Sequence, residues 1–106
     1  MRRRVVVTGL GVVSPLGCSV EATWKAILAG QSGVVPIEHF DCSAFATQFA
    51  ALVPDFDPSL TLDRKELRRI DTFIQYGLEA SRQALLDADL MSITDTYQDR
   101  FGVAIG

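Results

Sequence analysis

Histidine is nearly absent from this chain: His39 stands alone among 106 residues. Cysteine occurs only at Cys18 and Cys42, with no metal-ligand spacing around either. Unbridged thiols of a cytoplasmic protein are therefore expected, and a zinc site is not. No run approaches the roughly 18 apolar residues that cross a bilayer. The net charge of −3 lacks the basic excess that general nucleic-acid binding draws on. The opening Met1-Arg2-Arg3-Arg4 is basic and then apolar, like a secretory signal. Thr8-Gly9 interrupts Val5–Val7 at once, however, and a small-residue cleavage pattern is lacking. No internal repeat or low-complexity tract occurs.

What is present is apolar: 48% of residues, enough for one compact domain or a piece of a larger one. Arg4–Thr8 reads as a strand, since consecutive β-branched valines are stiff and favour extended backbone. Its unbroken apolar run predicts cover on both faces. Gly9, Gly11 and Gly17 permit close turns, and Pro15 restricts Ser14. Ser19 is an expected N-cap for a helix over Val20–Ala29, with Glu21 at its positive end and Gly30 as a left-handed stop. Val20, Trp24, Ile27 and Leu28 form one apolar stripe on it. Residues 31–61 are interrupted by Pro36, Pro54 and Pro58, with a short strand expected within Thr47–Val53. Asp63 and Glu66 have capping-box spacing and open a helix expected from about Arg64 to Ala88. Leu67, Ile70, Ile74, Leu78 and Leu85 give it a near-3.6 period. Gly77 inside it suggests close packing or a bend. Ile93–Arg100 reads as a polar connection and Arg100–Gly106 as a further strand. The order strand, helix, irregular region, long helix, strand predicts an α/β domain with a partly parallel sheet. Gly106 ends an apolar run, which suggests truncation, because domain ends usually lie in polar linkers.

Two features invite a function. Gly9-Leu10-Gly11 follows the first expected strand, as a dinucleotide-binding turn would. Ser14 replaces the third glycine, Pro15-Leu16-Gly17 delays the helix, and Gln31 stands where a ribose-binding carboxylate is needed. The glycines are better read as turning the chain through a crowded interior. The second feature is basic: Arg64, Lys65, Arg68 and Arg69 place four positive charges within six residues. Lys65, Arg68 and Arg69 share a face at i, i+3 and i+4. One reading is a solvated turn ion-paired through Glu66 and Asp71. The other is a docking surface for an acidic partner, steered by charge.

Three stretches carry a family resemblance. "VVVTGLGVVSPLG" (residues 5–17), "RRIDTFIQYGLEASRQAL" (residues 68–85) and "RFGVAIG" (residues 100–106) resemble the β-ketoacyl-[acyl-carrier-protein] synthases, in order and at the family's spacing. The "SPLG" ending is closer to the type II enzymes than to type I. Cys18 departs from the family, where a polar residue such as asparagine is common. The resemblance covers essentially the whole chain and implies a partial thiolase-like fold of layered helix and sheet. The chain would be the incomplete N-terminal portion of the first half, spanning residues 1–106. It implies a cytoplasmic homodimer that lengthens acyl chains in fatty acid synthesis by decarboxylative condensation with a malonyl carrier. It implies acyl carrier protein with its phosphopantetheine arm as partner, and no metal or nucleotide cofactor. Lys65 and Arg68, then Arg69, become the expected carrier-docking residues.

The chemistry needs a low-pKa cysteine nucleophile, a histidine pair and an oxyanion hole. None of that set matches here, so these residues alone are expected to be inactive. His39 and Cys42 could share a helix face, but "HFDCSAF" does not match the family nucleophile. Cys18 lies near a helix start and has no histidine nearby. Three other readings stay open: a polyketide-type ketosynthase or its chain-length partner, a non-enzymatic docking module, and a small nucleotide-binding domain.

Overall fold

Ser19 opens the first helix by a side-chain cap. In the computed structural model, which describes residues 1–92 and 95–106, its hydroxyl accepts the Ala22 amide at 3.1 Å. The helix α1, Val20–Leu28, follows with Glu21 in its first turn. It ends as expected: Gly30 has φ +66°, and the Gly30 and Gln31 amides bond back to Ile27 and Ala26. This closure satisfies carbonyls the helix leaves open. Replacing Ser19 with alanine is expected to cost about 1 kcal/mol, seen as a lower urea midpoint at unchanged slope.

The chain forms two units, residues 13–57 and residues 1–12 with 58–106. In the first, Ser14 and Gly17 exchange backbone hydrogen bonds of 2.9 and 3.1 Å around Pro15-Leu16. Proline suits the second position of such a turn. The Ser14 hydroxyl meets the Thr23 hydroxyl at 2.9 Å, which ties the turn to α1. Two short strands, β1 (Val34–Pro36) and β2 (Phe49–Ala51), pair antiparallel. Val35 faces Ala50, and Pro36 ends the ladder opposite Phe49. β2 falls inside the strand expected over Thr47–Val53. β1 was unreadable from pattern, because three residues give no alternation to detect.

In the second unit, Pro58–Leu60 form a 3₁₀ turn and Asp63 caps the short helix α2, Arg64–Leu67. The capping box is complete: Asp63 accepts the Lys65 and Glu66 amides at 2.8 Å, and Glu66 accepts the Asp63 amide at 3.1 Å. The single helix expected over Arg64–Ala88 is two helices. The chain leaves helical backbone at Asp71, with ψ 158°, and restarts as α3, Thr72–Asp87. Hydrophobic period runs through the break, which is why the sequence pattern hides it. Asp89, at φ 56°, closes α3 as Gly30 closes α1. A further short helix, α4, spans Asp95–Gln98 within the segment read as a polar connection. Residues 93 and 94 of that connection lie outside the described residues.

The strands expected at Arg4–Thr8 and Arg100–Gly106 are not formed. A strand exists only through a ladder partner, and among the described residues β1 and β2 make the one named sheet. The predicted cover is missing as well: Val5 is 95% exposed and Val103 78%. The α1 stripe is open too, with Trp24, Ile27 and Leu28 at least half exposed. Among the described residues only Ala26 and Glu79 are buried. The fold is mixed α/β, with broad apolar faces uncovered.

Candidate functional site

Glu79 organises the second unit. It sits mid-way along α3, 6% exposed. Burying a carboxylate is costly unless it is paired and fully hydrogen-bonded. Arg82 supplies a two-pronged contact, Nε to Oε2 at 2.8 Å and Nη2 to Oε1 at 2.7 Å. Gln83 donates its amide to Oε1 at 3.1 Å, and the Thr61 hydroxyl donates to Oε2 at 2.5 Å. The Arg82 hydrogen bonds, helped by Thr61 and Gln83 against the opposing effect of burial, lower the carboxyl pKa to about 2. The same pairing raises Arg82.

Thr61 leads directly into α2. The basic residues Arg64, Lys65, Arg68 and Arg69 are exposed there. Leu67 and Ile70 are half-buried and form the inward side. Among the described residues, no ion pair joins these cations to Glu66 or Asp71. Glu66 is occupied with the helix cap. The reading of a self-neutralised turn therefore lacks its ion pairs, and the positive charge faces solvent. α2 ends at Leu67, with Arg68 as its C-cap, so Arg69 lies past the helix proper.

The glycine segment has a different task. A Cβ built on Gly11 would overlap the carbonyl oxygen of Ala80, and one on Gly9 that of Ala84. Neither glycine has a positive φ. They are needed for space, because the chain lies directly on the Ala80, Ala84 and Ala88 side of α3. The Leu10 amide donates to Asp87 at 2.9 Å and the Val12 amide to Gln83 at 3.1 Å. Amides held in this way are not offered to a phosphate, which disfavours the nucleotide reading. By contrast, a Cβ on Gly77 meets nothing within 4 Å, so no close packing is formed there among the described residues.

A family model for the N-terminal domain of beta-ketoacyl synthases matches residues 2–106. The chain belongs to the β-ketoacyl synthase family. It is 57% identical over 105 residues to 3-oxoacyl-[acyl-carrier-protein] synthase 2 of Coxiella burnetii, covering 99% of this chain and 25% of that protein. The Vibrio harveyi protein of the same name is 55% identical with the same coverage. A solved structure, the ishigamide ketosynthase/chain length factor, superposes with a TM-score of 0.75 at 38% identity. That match covers 91% of this chain and 23% of the other. The chain thus spans about a quarter of the length of the curated synthases it matches.

Within this β-ketoacyl synthase segment, the cysteines and the histidine are not brought together as a catalytic group. The Cys18 thiol donates to the Pro54 carbonyl at 3.3 Å, and the Cys42 thiol points to the Ile37 carbonyl at 3.7 Å. His39 packs edge-on against Phe40, with ring centres 4.9 Å apart. No helix spans His39–Cys42, so the shared face their spacing allowed does not exist. The sequence reading missed Thr61, Glu79, Arg82, Gln83 and Asp87. The i, i+3 and i, i+4 spacing of Glu79 with Arg82 and Gln83 was visible as a helix pair. Its burial and the contact with Thr61 were not.

Proposed function

We propose that this chain is the N-terminal part of a 3-oxoacyl-[acyl-carrier-protein] synthase 2. The observation that carries this reading is the 57% identity to the Coxiella burnetii synthase across nearly the whole chain. The longer protein would take an acyl group from its carrier onto a cysteine thiolate as a thioester. Loss of carbon dioxide from a malonyl carrier then yields a carbanion equivalent, which attacks that thioester carbonyl. A new carbon–carbon bond forms, the cysteine leaves, and a 3-oxoacyl carrier is released. The nucleophile and the histidine pair lie outside residues 1–106 in this reading, and the segment alone has no condensing activity. It needs no metal or nucleotide cofactor.

The uncovered apolar faces support the same reading. Val5, Val7, Trp24, Phe73 and Val103 are each more than half exposed, more large apolar surface than a complete domain leaves open within either unit. In a thiolase-like layered fold, the rest of the synthase and its homodimer partner cover these faces. Arg4–Thr8 and Phe101–Ile105 then become strands, once ladder partners exist. A cytoplasmic setting belongs to this proposal. Among the described residues, no helix is long and apolar enough to cross a membrane.

Lys65, Arg68 and Arg69 are the proposed docking residues for acyl carrier protein. Their support is exposure with, among the described residues, no ion pair to Glu66 or Asp71, together with the carrier in the relatives' names. In the full-length synthase, Lys65→Glu or Arg68→Glu is expected to weaken carrier binding about tenfold at low salt. The loss should shrink as salt screens the charges. Unchanged carrier affinity at low salt would exclude this surface.

The test of the reaction is a reconstituted condensation, with mass spectrometry of the carrier-bound product. A 3-oxoacyl carrier supports the synthase. A second reading, a polyketide-type ketosynthase or chain-length partner, is favoured by the solved ketosynthase/chain length factor structure. A chain-length partner would give no product alone. The same assay therefore separates an active synthase from a chain-length partner.

A further inference from the structure

We propose that the Thr61–Glu79–Arg82 cluster is a positioning device for the basic surface: it anchors the chain entering α2 and so sets where Lys65, Arg68 and Arg69 stand. This inference rests on the docking reading of that surface. α2 has four residues, Arg64–Leu67. A helix of one turn cannot hold itself together in water, because nucleation costs more than a single turn returns. Its capping box fixes the local shape but not the direction in which the turn points. Direction must come from anchors to something longer, and α3 has 16 residues.

The front anchor is Thr61. Its amide donates to the Pro58 carbonyl at 3.0 Å, which closes the 3₁₀ turn, and its hydroxyl donates to Glu79 at 2.5 Å. At the rear, the Gln75 side chain reaches the Ile70 carbonyl at 3.4 Å, a longer contact to a neutral acceptor. Hydrogen bonds to a charged group are about twice as strong as neutral ones, so the Thr61 contact is the stronger of the two. Glu79 cannot follow Thr61 outward. Arg82 holds both of its oxygens, Gln83 binds one of them, and the side chain is buried. The acceptor is thus rigid, and the segment beginning at Thr61 is held to it. Two residues after Thr61, the Asp63 cap begins the turn that presents the cations.

The test is steady-state kinetics of the full-length synthase with two acyl donors: an acyl carrier protein thioester and the corresponding acyl-pantetheine thioester. Thr61→Val keeps the shape and removes the hydroxyl. It is expected to raise KM for the carrier-borne donor about fivefold, the size of one hydrogen bond, with kcat little changed. KM for the pantetheine thioester should stay as in the wild type, and Thr61→Ser should restore the carrier KM. Lys65→Glu is measured in parallel. If Lys65→Glu raises the carrier KM and Thr61→Val does not, the positioning device is wrong and the docking surface stands. If neither variant changes it, both are wrong. An equal rise for the two donors means a general structural role and overturns the inference. Should Thr61→Val fail to accumulate, Thr61→Ala removes the same hydroxyl without a second methyl and is read in the same way.

Discussion

Gly11→Ala is expected to destabilise the protein by about 3 kcal/mol, the upper end of ordinary overpacking, with little change in the urea slope. The added methyl would overlap the Ala80 carbonyl oxygen and lie 2.8 Å from the Ala84 amide nitrogen. Both obstacles are helix backbone, which cannot turn aside as a side-chain tip can. The glycine segment must lift instead. Lifting strains the bonds from Val12 to Gln83 and from Leu10 to Asp87, each worth about 1 kcal/mol or somewhat more where the acceptor is charged. Gly9→Ala should behave similarly, since it meets the Ala84 carbonyl and lies 2.8 Å from the Ala88 Cβ. Gly30→Ala provides the contrast. Open space surrounds Gly30, and only its φ of +66° is at stake, so a loss nearer 1 kcal/mol is expected. Equal losses at Gly11 and Gly30 in chemical denaturation would contradict the crowding argument.

Glu79→Ala is the second large effect, at about 3 kcal/mol near neutral pH. The substitution leaves Arg82 without its carboxylate, where the Arg82 side chain is 27% exposed. It also removes the acceptor for Thr61 and Gln83. Glu79→Gln keeps the volume and one carbonyl oxygen, so its loss should be smaller. The two variants also separate a pH effect. The Glu79 pKa falls from 4.5 to about 2 on folding, chiefly through Arg82. The unfolded state therefore binds this proton first as pH falls, and folding is disfavoured. The stabilisation is complete above pH 4.5 and is lost as pH falls toward about 2. It is at most on the order of 3 kcal/mol. Subtracting the acid limb of Glu79→Gln from that of the wild type should isolate this loss. Parallel acid limbs would mean that Glu79 has an ordinary pKa in the folded protein.

Local signals in the sequence were reliable where the chemistry was local. The Ser19 cap, the Gly30 stop and the Asp63–Glu66 box each join groups within a few residues, and all three are formed. The break between α2 and α3 was hidden because Ile70 and Ile74 keep the helical period across it, while Asp71 adopts extended backbone. The basic surface was legible as a charge cluster. Its openness was not, since Glu66 and Asp71 offered nearby partners on paper. Only the cap geometry shows that Glu66 is already engaged. The family was legible from three stretches in order, and the match over residues 2–106 agrees.

By itself the sequence determined the family, the capped helix ends and the presence of four cations within six residues. These follow from short-range hydrogen bonding, backbone preference and motif order, all of which are written along the chain. Tertiary structure alone decided why Gly9 and Gly11 are glycine, how Glu79 is buried, and where α2 is anchored. Those facts arise between residues such as Gly11 and Ala80 or Thr61 and Glu79, which are distant in the chain and meet only when α3 packs. Steric exclusion and desolvation act on atoms that touch in space, and no local pattern encodes them.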